Sequence, residues 1–96
     1  MDLRRLVRQR REEILRLAAR HGASNIQLFG SVARGDTRPE SDIDLLVDFE
    51  PSRSMLDHIG LEQDLAELLG VHVDIVSRAA LSKYIREDVL REAIAV

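Results

Sequence analysis

The sequence predicts a small α/β (α+β) fold, a mixed β-sheet of about three strands flanked by about four helices. Three observations carry that prediction. Apolar residues recur at helical spacing near the start of the chain and again before Gly70. Short apolar runs at 26–29, 43–49 and 71–76 have the length and composition of strands. Glycines and prolines punctuate the junctions, so the order reads α-β-α-β-α-β-α.

Each element has its own signal. Over 2–21, Leu3, Leu6, Val7, Ile14, Leu17 and Ala18 share one helical face, and Gly22 is placed to stop the helix. Ile26 to Phe29 suits a strand. Gly30-Ser31 follows, then Val32-Ala33-Arg34 as a single helical turn closed by Gly35. Residues 36–41 are all turn and loop types. Ile43 to Phe49 is the strongest strand: Leu45, Leu46 and Val47 are continuously apolar, as in a central strand covered on both faces. Ser54 and Asp57 have capping-box spacing ahead of a helix through Leu69, with Leu61, Leu65 and Leu68 as its buried stripe. Val71 to Val76 is the third strand. Ser82 caps a last helix with Ile85, Val89 and Ala93 on its inner face.

Ninety-six residues predict one domain, 1–96. The chain has no run of eighteen apolar residues and no signal-peptide pattern, so no membrane association and a cytoplasmic location are expected. With no cysteine, disulfides, thiolate metal sites and a cysteine nucleophile are excluded. Phe29, Phe49 and Tyr84 are the aromatics, too few for a protein that stacks bases, so direct nucleic-acid binding is not expected. Charge is uneven. Residues 1–20 hold seven arginines against Asp2, Glu12 and Glu13, a balance of +4; the other seven basic and fourteen acidic residues give −7, which makes the net −3. The arginine-rich segment reads either as a solvated helix face or as a docking surface for an acidic partner or RNA.

The residues that carry chemistry are Gly30-Ser31, then Asp42-Ile43-Asp44 after ten residues, then Asp74 in the third strand. Asp42 and Asp44 are two apart at a strand start, so both side chains leave one face with Cα atoms roughly 6–7 Å apart, while Ile43 enters the core. Two adjacent carboxylates repel, and a shared divalent cation relieves that repulsion. Hard oxygen ligands favour Mg²⁺ or Mn²⁺. With Asp74 from the neighbouring strand, two metals could clamp the attacking and leaving oxygens of an in-line phosphoryl displacement. Three buried aspartates would be costly, so they are expected at an exposed edge of the sheet. The Gly-Ser turn offers backbone N–H groups to an anion. Gly30 permits close approach of a phosphate, and the Ser31 hydroxyl adds a donor. For these groups to meet, the first and second strands must run antiparallel. A helical crossover makes the third parallel to the second.

At these residues the sequence resembles the DNA polymerase β-type nucleotidyltransferase superfamily. The stretch Phe29-Gly-Ser-Val-Ala-Arg-Gly-Asp-Thr-Arg-Pro-Glu-Ser-Asp-Ile-Asp-Leu-Leu-Val-Asp48 looks specifically like the minimal nucleotidyltransferase (MNT) group. The resemblance runs from the first helix to the last. It implies the nucleotidyltransferase fold, metal binding and catalysis at Asp42, Asp44 and Asp74, and triphosphate binding at Gly30 and Ser31. Asp74 would orient or deprotonate the incoming hydroxyl. Arg34 also fits the pattern, either contacting phosphate or bracing the loop through Asp36 or Glu40. The resemblance further implies an antitoxin that uses ATP and Mg²⁺ to transfer AMP to a tyrosine of a HEPN-domain ribonuclease toxin. Larger relatives hold the acceptor on a second domain. So short a chain is therefore expected to meet its acceptor on another molecule.

Two other functions compete with this one. The chain could neutralise a toxin by binding alone, with a vestigial nucleotide site. It could instead modify a small molecule or RNA, against which its size and acidic balance count. Adenine is the family's implication and no residue here marks a base pocket. Among the remaining residues, His21 sits at a helix end, where positive charge is favoured. His72 shares strand parity with Asp74 and could line the site. Asp48 shares parity with Asp42 and Asp44 but reads as a strand-end solubility residue. Tyr84 reads as a helix-surface or core-edge residue, with self-modification as the alternative.

Overall fold

A computed structural model describes residues 2–35 and 42–96. Its helices are α1 (Leu3–Gln9), α2 (Arg11–Arg20), α3 (Gly30–Ala33), α4 (Met55–Leu69) and α5 (Lys83–Glu92). Its strands are β1 (Ala23–Phe29), β2 (Ile43–Phe49), β3 (Val73–Ser77) and β4 (Ile94–Ala95), and a 3₁₀ turn spans Arg78–Ala80. Among the described residues the strands form a mixed sheet in the order β3-β2-β1-β4. As expected, β1 is antiparallel to β2 and β3 is parallel to β2. No described helix is long and apolar enough to cross a membrane.

Local chemistry explains most boundaries. Asp2 caps α1 by accepting the Arg4 and Arg5 N–H groups, and Ser82 caps α5 by accepting that of Tyr84. Ser54 caps α4, but its hydroxyl accepts from Leu56 N–H and the expected reciprocal box with Asp57 is not made. The Asp57 carboxylate instead faces His21 and Arg53. Gly70 ends α4 with φ +73°, a left-handed C-cap that favours glycine.

Several expectations need correction. The first helix is two: the backbone breaks at Arg10 (φ −101°, ψ 15°), where no glycine or proline marks the sequence. The break lets Leu3 and Val7 of α1 join Ile14 and Ala18 of α2 in one core. The sheet has a fourth strand, β4, which pairs with Gln27 and Leu28 of β1 and is too short to show a period. The inner face expected of α5 is thinly covered: none of its residues is buried, and Ile85 is 49% exposed.

The main core lies on one face of the sheet. Ile43, Leu45 and Val47 of β2 pack there with Leu28, Val73 and Ile75, beneath Ile14 and Ala18 of α2 and Leu61, Leu65 and Leu69 of α4. In α4 it is Leu69 that is buried with Leu61 and Leu65, while Leu68 is only half-buried. Asp44, Leu46 and Asp48 of β2, with Asp42 just before the strand, face the other side. Leu46 is fully buried there, so β2 is a central strand covered twice, as its composition predicts. Part of that second cover is polar. The Arg78 guanidinium crosses the strands, donating to Asn25 O (2.9 Å), Gln27 Oε1 (2.6 Å) and Leu46 O (3.5 Å) and pairing with Asp48 (2.6 Å).

Candidate active site

The two strands that carry the acidic residues bring them to one end of the sheet. Asp44 and Asp74 are register partners across the parallel β2–β3 pair. Asp42 directly precedes β2, and the Ile43 N–H donates to His72 O at 3.1 Å, which ties the start of β3 to that of β2. Ile43 is fully buried, so its even-numbered neighbours must face outward. Asp42 and Asp74 are 46% and 47% exposed, which matches the expected open edge.

The three carboxylates are not arranged alike. Asp42 and Asp74 converge with His72, and one ligating atom from each lies within 4.8 Å of the others. His72 Nδ1 is 3.2 Å from Asp42 Oδ2, and Nε2 is 3.9 Å from Asp74 Oδ1. The Asp44 carboxylate leans instead over Gly30, where a Cβ would collide with its Oδ2. Gly30 therefore has a packing role beside the one that the sequence suggests for it. Its φ of +75° and its missing side chain also make room for Asp44.

Electrostatics follow this packing. The pKa of Asp44 is raised by partial burial and by the charges of Asp74 and Asp42, against the opposing pull of Arg34 and His72. Like charges this close favour a cation between them. The pKa of His72 is raised by its hydrogen bond to Asp42 and by the charges of Asp42 and Asp74. Two carboxylates, a third beside them and an imidazole form a donor set fit for a divalent cation.

The Gly-Ser turn sits where the sequence places it. β1 ends at Phe29, and α3 begins at Gly30 with Ser31 in its first turn, so its leading N–H groups lack helical acceptors. Phe29 pairs with Asp44 across β1 and β2, which sets the turn beside the acidic cluster. Gly35 (φ +77°) follows α3, as expected. Arg34 is half-exposed and its Nη1 contacts Glu92 Oε2 of α5 at 3.0 Å. The bracing partners expected for Arg34, Asp36 and Glu40, lie outside the described residues, as does the whole segment 36–41, expected to be a loop.

Asp48 stands apart. It lies at the far end of β2, held by Asn25 (3.2 Å) and Arg78, so it is a structural residue more than a solubility residue. Tyr84 is 82% exposed and follows the C-terminal end of β3, whereas the aspartates gather at the N-terminal end. Sequence reasoning offered His72 as a possible lining residue through its parity with Asp74, and it did not place Glu92 or Glu62 in the site's surroundings. Glu62 Oε2 accepts the Ile75 N–H at 2.8 Å on the edge of β3. The parity of His72 was a usable signal, whereas Glu62 and Glu92 reach the region through tertiary packing.

Comparison with known proteins agrees with this geometry. The family model described as nucleotidyltransferase domain matches residues 7–96. The chain is 45% identical over 80 residues to the protein adenylyltransferase MntA of Thermococcus cleftensis, covering 83% of this chain and 81% of that protein. A solved structure provisionally described as a minimal nucleotidyltransferase superposes with a TM-score of 0.87 at 55% identity, covering 97% of this chain and 95% of the other. A toxin–antitoxin crystal structure with AMP-PNP superposes with a TM-score of 0.74 at 27% identity, covering 88% of this chain and 69% of the other. An acidic cluster beside a Gly-Ser turn, on a mixed sheet shared with these proteins, leaves one conclusion: the chain belongs to the nucleotidyltransferase domain family, among its minimal members, and is an enzyme of that class.

Proposed function

We propose that this chain is a cytoplasmic antitoxin that transfers AMP from ATP to a tyrosine hydroxyl of a HEPN-type ribonuclease toxin, with residues 1–96 acting as one catalytic domain. The observation that carries the proposal is the convergence of Asp42 and Asp74 beside Asp44 and the Gly30-Ser31 turn. The names of the similar proteins support the acceptor class: one is a protein adenylyltransferase, and another is a toxin–antitoxin solved with an ATP analogue.

In this reading the chain's residues divide the work. Gly30 and Ser31 hold the triphosphate through backbone N–H groups and the Ser31 hydroxyl. Arg34 reaches a phosphate oxygen by turning from Glu92. Asp42, Asp44 and Asp74 hold Mg²⁺, which when bound neutralises charge on the triphosphate and on the departing pyrophosphate. The acceptor oxygen forms a bond to the α-phosphorus. The bond from that phosphorus to the bridging oxygen of the β-phosphate breaks, and pyrophosphate leaves with the electron pair. Asp74 takes the acceptor's proton and passes it to water. The catalytic residues are thus Asp42, Asp44 and Asp74.

The test is to incubate the protein with labelled ATP, Mg²⁺ and its toxin partner. Label should appear on a partner tyrosine, and Asp42→Ala should lower the rate by about 100-fold or more. An unlabelled partner, with Asp42→Ala indistinguishable from wild type, would defeat the proposal. A second reading, neutralisation by binding alone, draws support from the exposed apolar residues Met55 and Leu56 of α4 and Tyr84 and Ile85 of α5. It requires Asp44→Ala to protect cells from the toxin as well as wild type does.

A further inference from the structure

We infer that His72 is a direct ligand of the cation held by Asp42 and Asp74, and that this nitrogen donor makes the site prefer Mn²⁺ and related transition ions to Mg²⁺. The inference rests on the reading of Asp42 and Asp74 as cation holders.

The geometry fits a coordination sphere. Ligand atoms about 2.1 Å from a six-coordinate ion stand about 3 Å apart when adjacent and about 4.2 Å apart when opposed. The 3.2 Å between His72 Nδ1 and Asp42 Oδ2 matches an adjacent pair. All three candidate atoms fall within 4.8 Å of one another, close to the span of one sphere. The backbone is fixed for this purpose, because Ile43 N–H binds His72 O and ties the residue to the strand that carries Asp44. The ring is 63% exposed, so small rotations onto an ion meet little resistance. Its position two residues before Asp74, just ahead of β3, puts both side chains on one side of the chain.

Chemistry then sets the preference. An all-carboxylate set suits Mg²⁺, which binds nitrogen poorly and keeps its waters. Adding an imidazole moves the set toward first-row transition ions. Asp44 lies outside the cluster, over Gly30, and stays free to meet a second ion or the nucleotide. His72 thereby separates this chain's two metal positions into one mixed nitrogen–oxygen site and one oxygen site.

The test uses the full chain with Mn²⁺ and inorganic tripolyphosphate, which supplies phosphate without nitrogen. Pulsed electron paramagnetic resonance should show ¹⁴N coupling to bound Mn²⁺, and His72→Ala should abolish it. In the same variant Mn²⁺ affinity should fall by about tenfold or more, while Mg²⁺ affinity changes by about twofold or less. Mn²⁺ bound to wild type without ¹⁴N coupling would overturn the inference, even if His72→Ala weakened binding, since His72 would then only position Asp42. If Asp42→Asn binds Mn²⁺ as wild type does, the reading of the whole site fails, and the inference falls with it.

Discussion

Gly30 answers to two constraints. Its φ is +75°, in the left-handed region, and a Cβ there would strike the Asp44 carboxylate. Gly30→Ala is therefore expected to cost about 1–2 kcal/mol from backbone strain alone. It should also lower nucleotidyl transfer, because Asp44 must move aside. Urea unfolding and a transfer assay separate the two effects; unchanged stability would mean the turn tolerates a side chain. Asp48 shows a different balance. Burial alone would raise its pKa, but hydrogen bonds from Asn25 and Arg78 and the charge of Arg78 outweigh it, and the pKa falls below the ordinary value of 3.8. A lowered carboxyl pKa contributes stability above the unfolded value and loses it as pH falls through the folded one. Asp48→Asn should thus be less stable at pH 7 by up to about 1 kcal/mol, since the Asp48 carboxylate is half-exposed. That difference should vanish in acid below the folded pKa. A gap that persists there would point to packing and not to charge.

Among the elements, α4 is the main brace of the sheet. Its two faces differ sharply: Leu61 is fully buried in the core where α4 packs on β3 and α2, whereas Leu56 is 79% exposed. Leu61→Ala should cost about 2–5 kcal/mol, a large share of the ~5–15 kcal/mol that holds a domain folded. Leu56→Ala should change stability by about 0.5 kcal/mol or less. Chemical denaturation of both variants checks this, and equal losses would contradict the burial pattern. β1 depends on a different device. Its register slips between Ser24 and Gln27, with Asn25 at φ 53°, and the Arg78 guanidinium binds the Asn25 carbonyl freed by that bulge. One arginine from the turn after β3 thereby ties the two antiparallel strands together at the end opposite the acidic cluster.

For the molecule as a whole, the uneven charge matters most. Arg4, Arg5 and Arg8 lie on α1, whose helix contacts α3, the helix that opens with Gly30-Ser31. Part of the positive charge is used internally: Arg10 pairs with Glu13 at 3.0 Å, and Arg11 donates to Val96 O at 2.9 Å. An acidic partner would still meet a basic flank on approach. Reversing Arg4, Arg8 and Arg11 to Glu should weaken partner binding, and added salt should shrink the difference from wild type. Unchanged affinity in a binding titration would leave these arginines as a solvated face.

The sequence by itself determined the strand and helix types, the mixed sheet directions, the Gly-Ser turn and the three aspartates. The directions rest on the need for the turn and the aspartates to meet, and the rest on local spacing: Asp42 and Asp44 must share a face, and Ile43 between them must be buried. Local spacing also placed the caps at Ser54, Gly70 and Ser82. Tertiary structure alone decided the rest. Arg10 breaks a helix that no residue type interrupts, and β4 exists because β1 offers it an edge. Asp48 finds Arg78 from thirty residues away. The gathering of His72 with Asp42, and the tilt of Asp44 onto Gly30, depend on how β2, β3 and α3 pack. Periodicity fixes which way a side chain points along its own element, but only the packing of elements fixes what it meets.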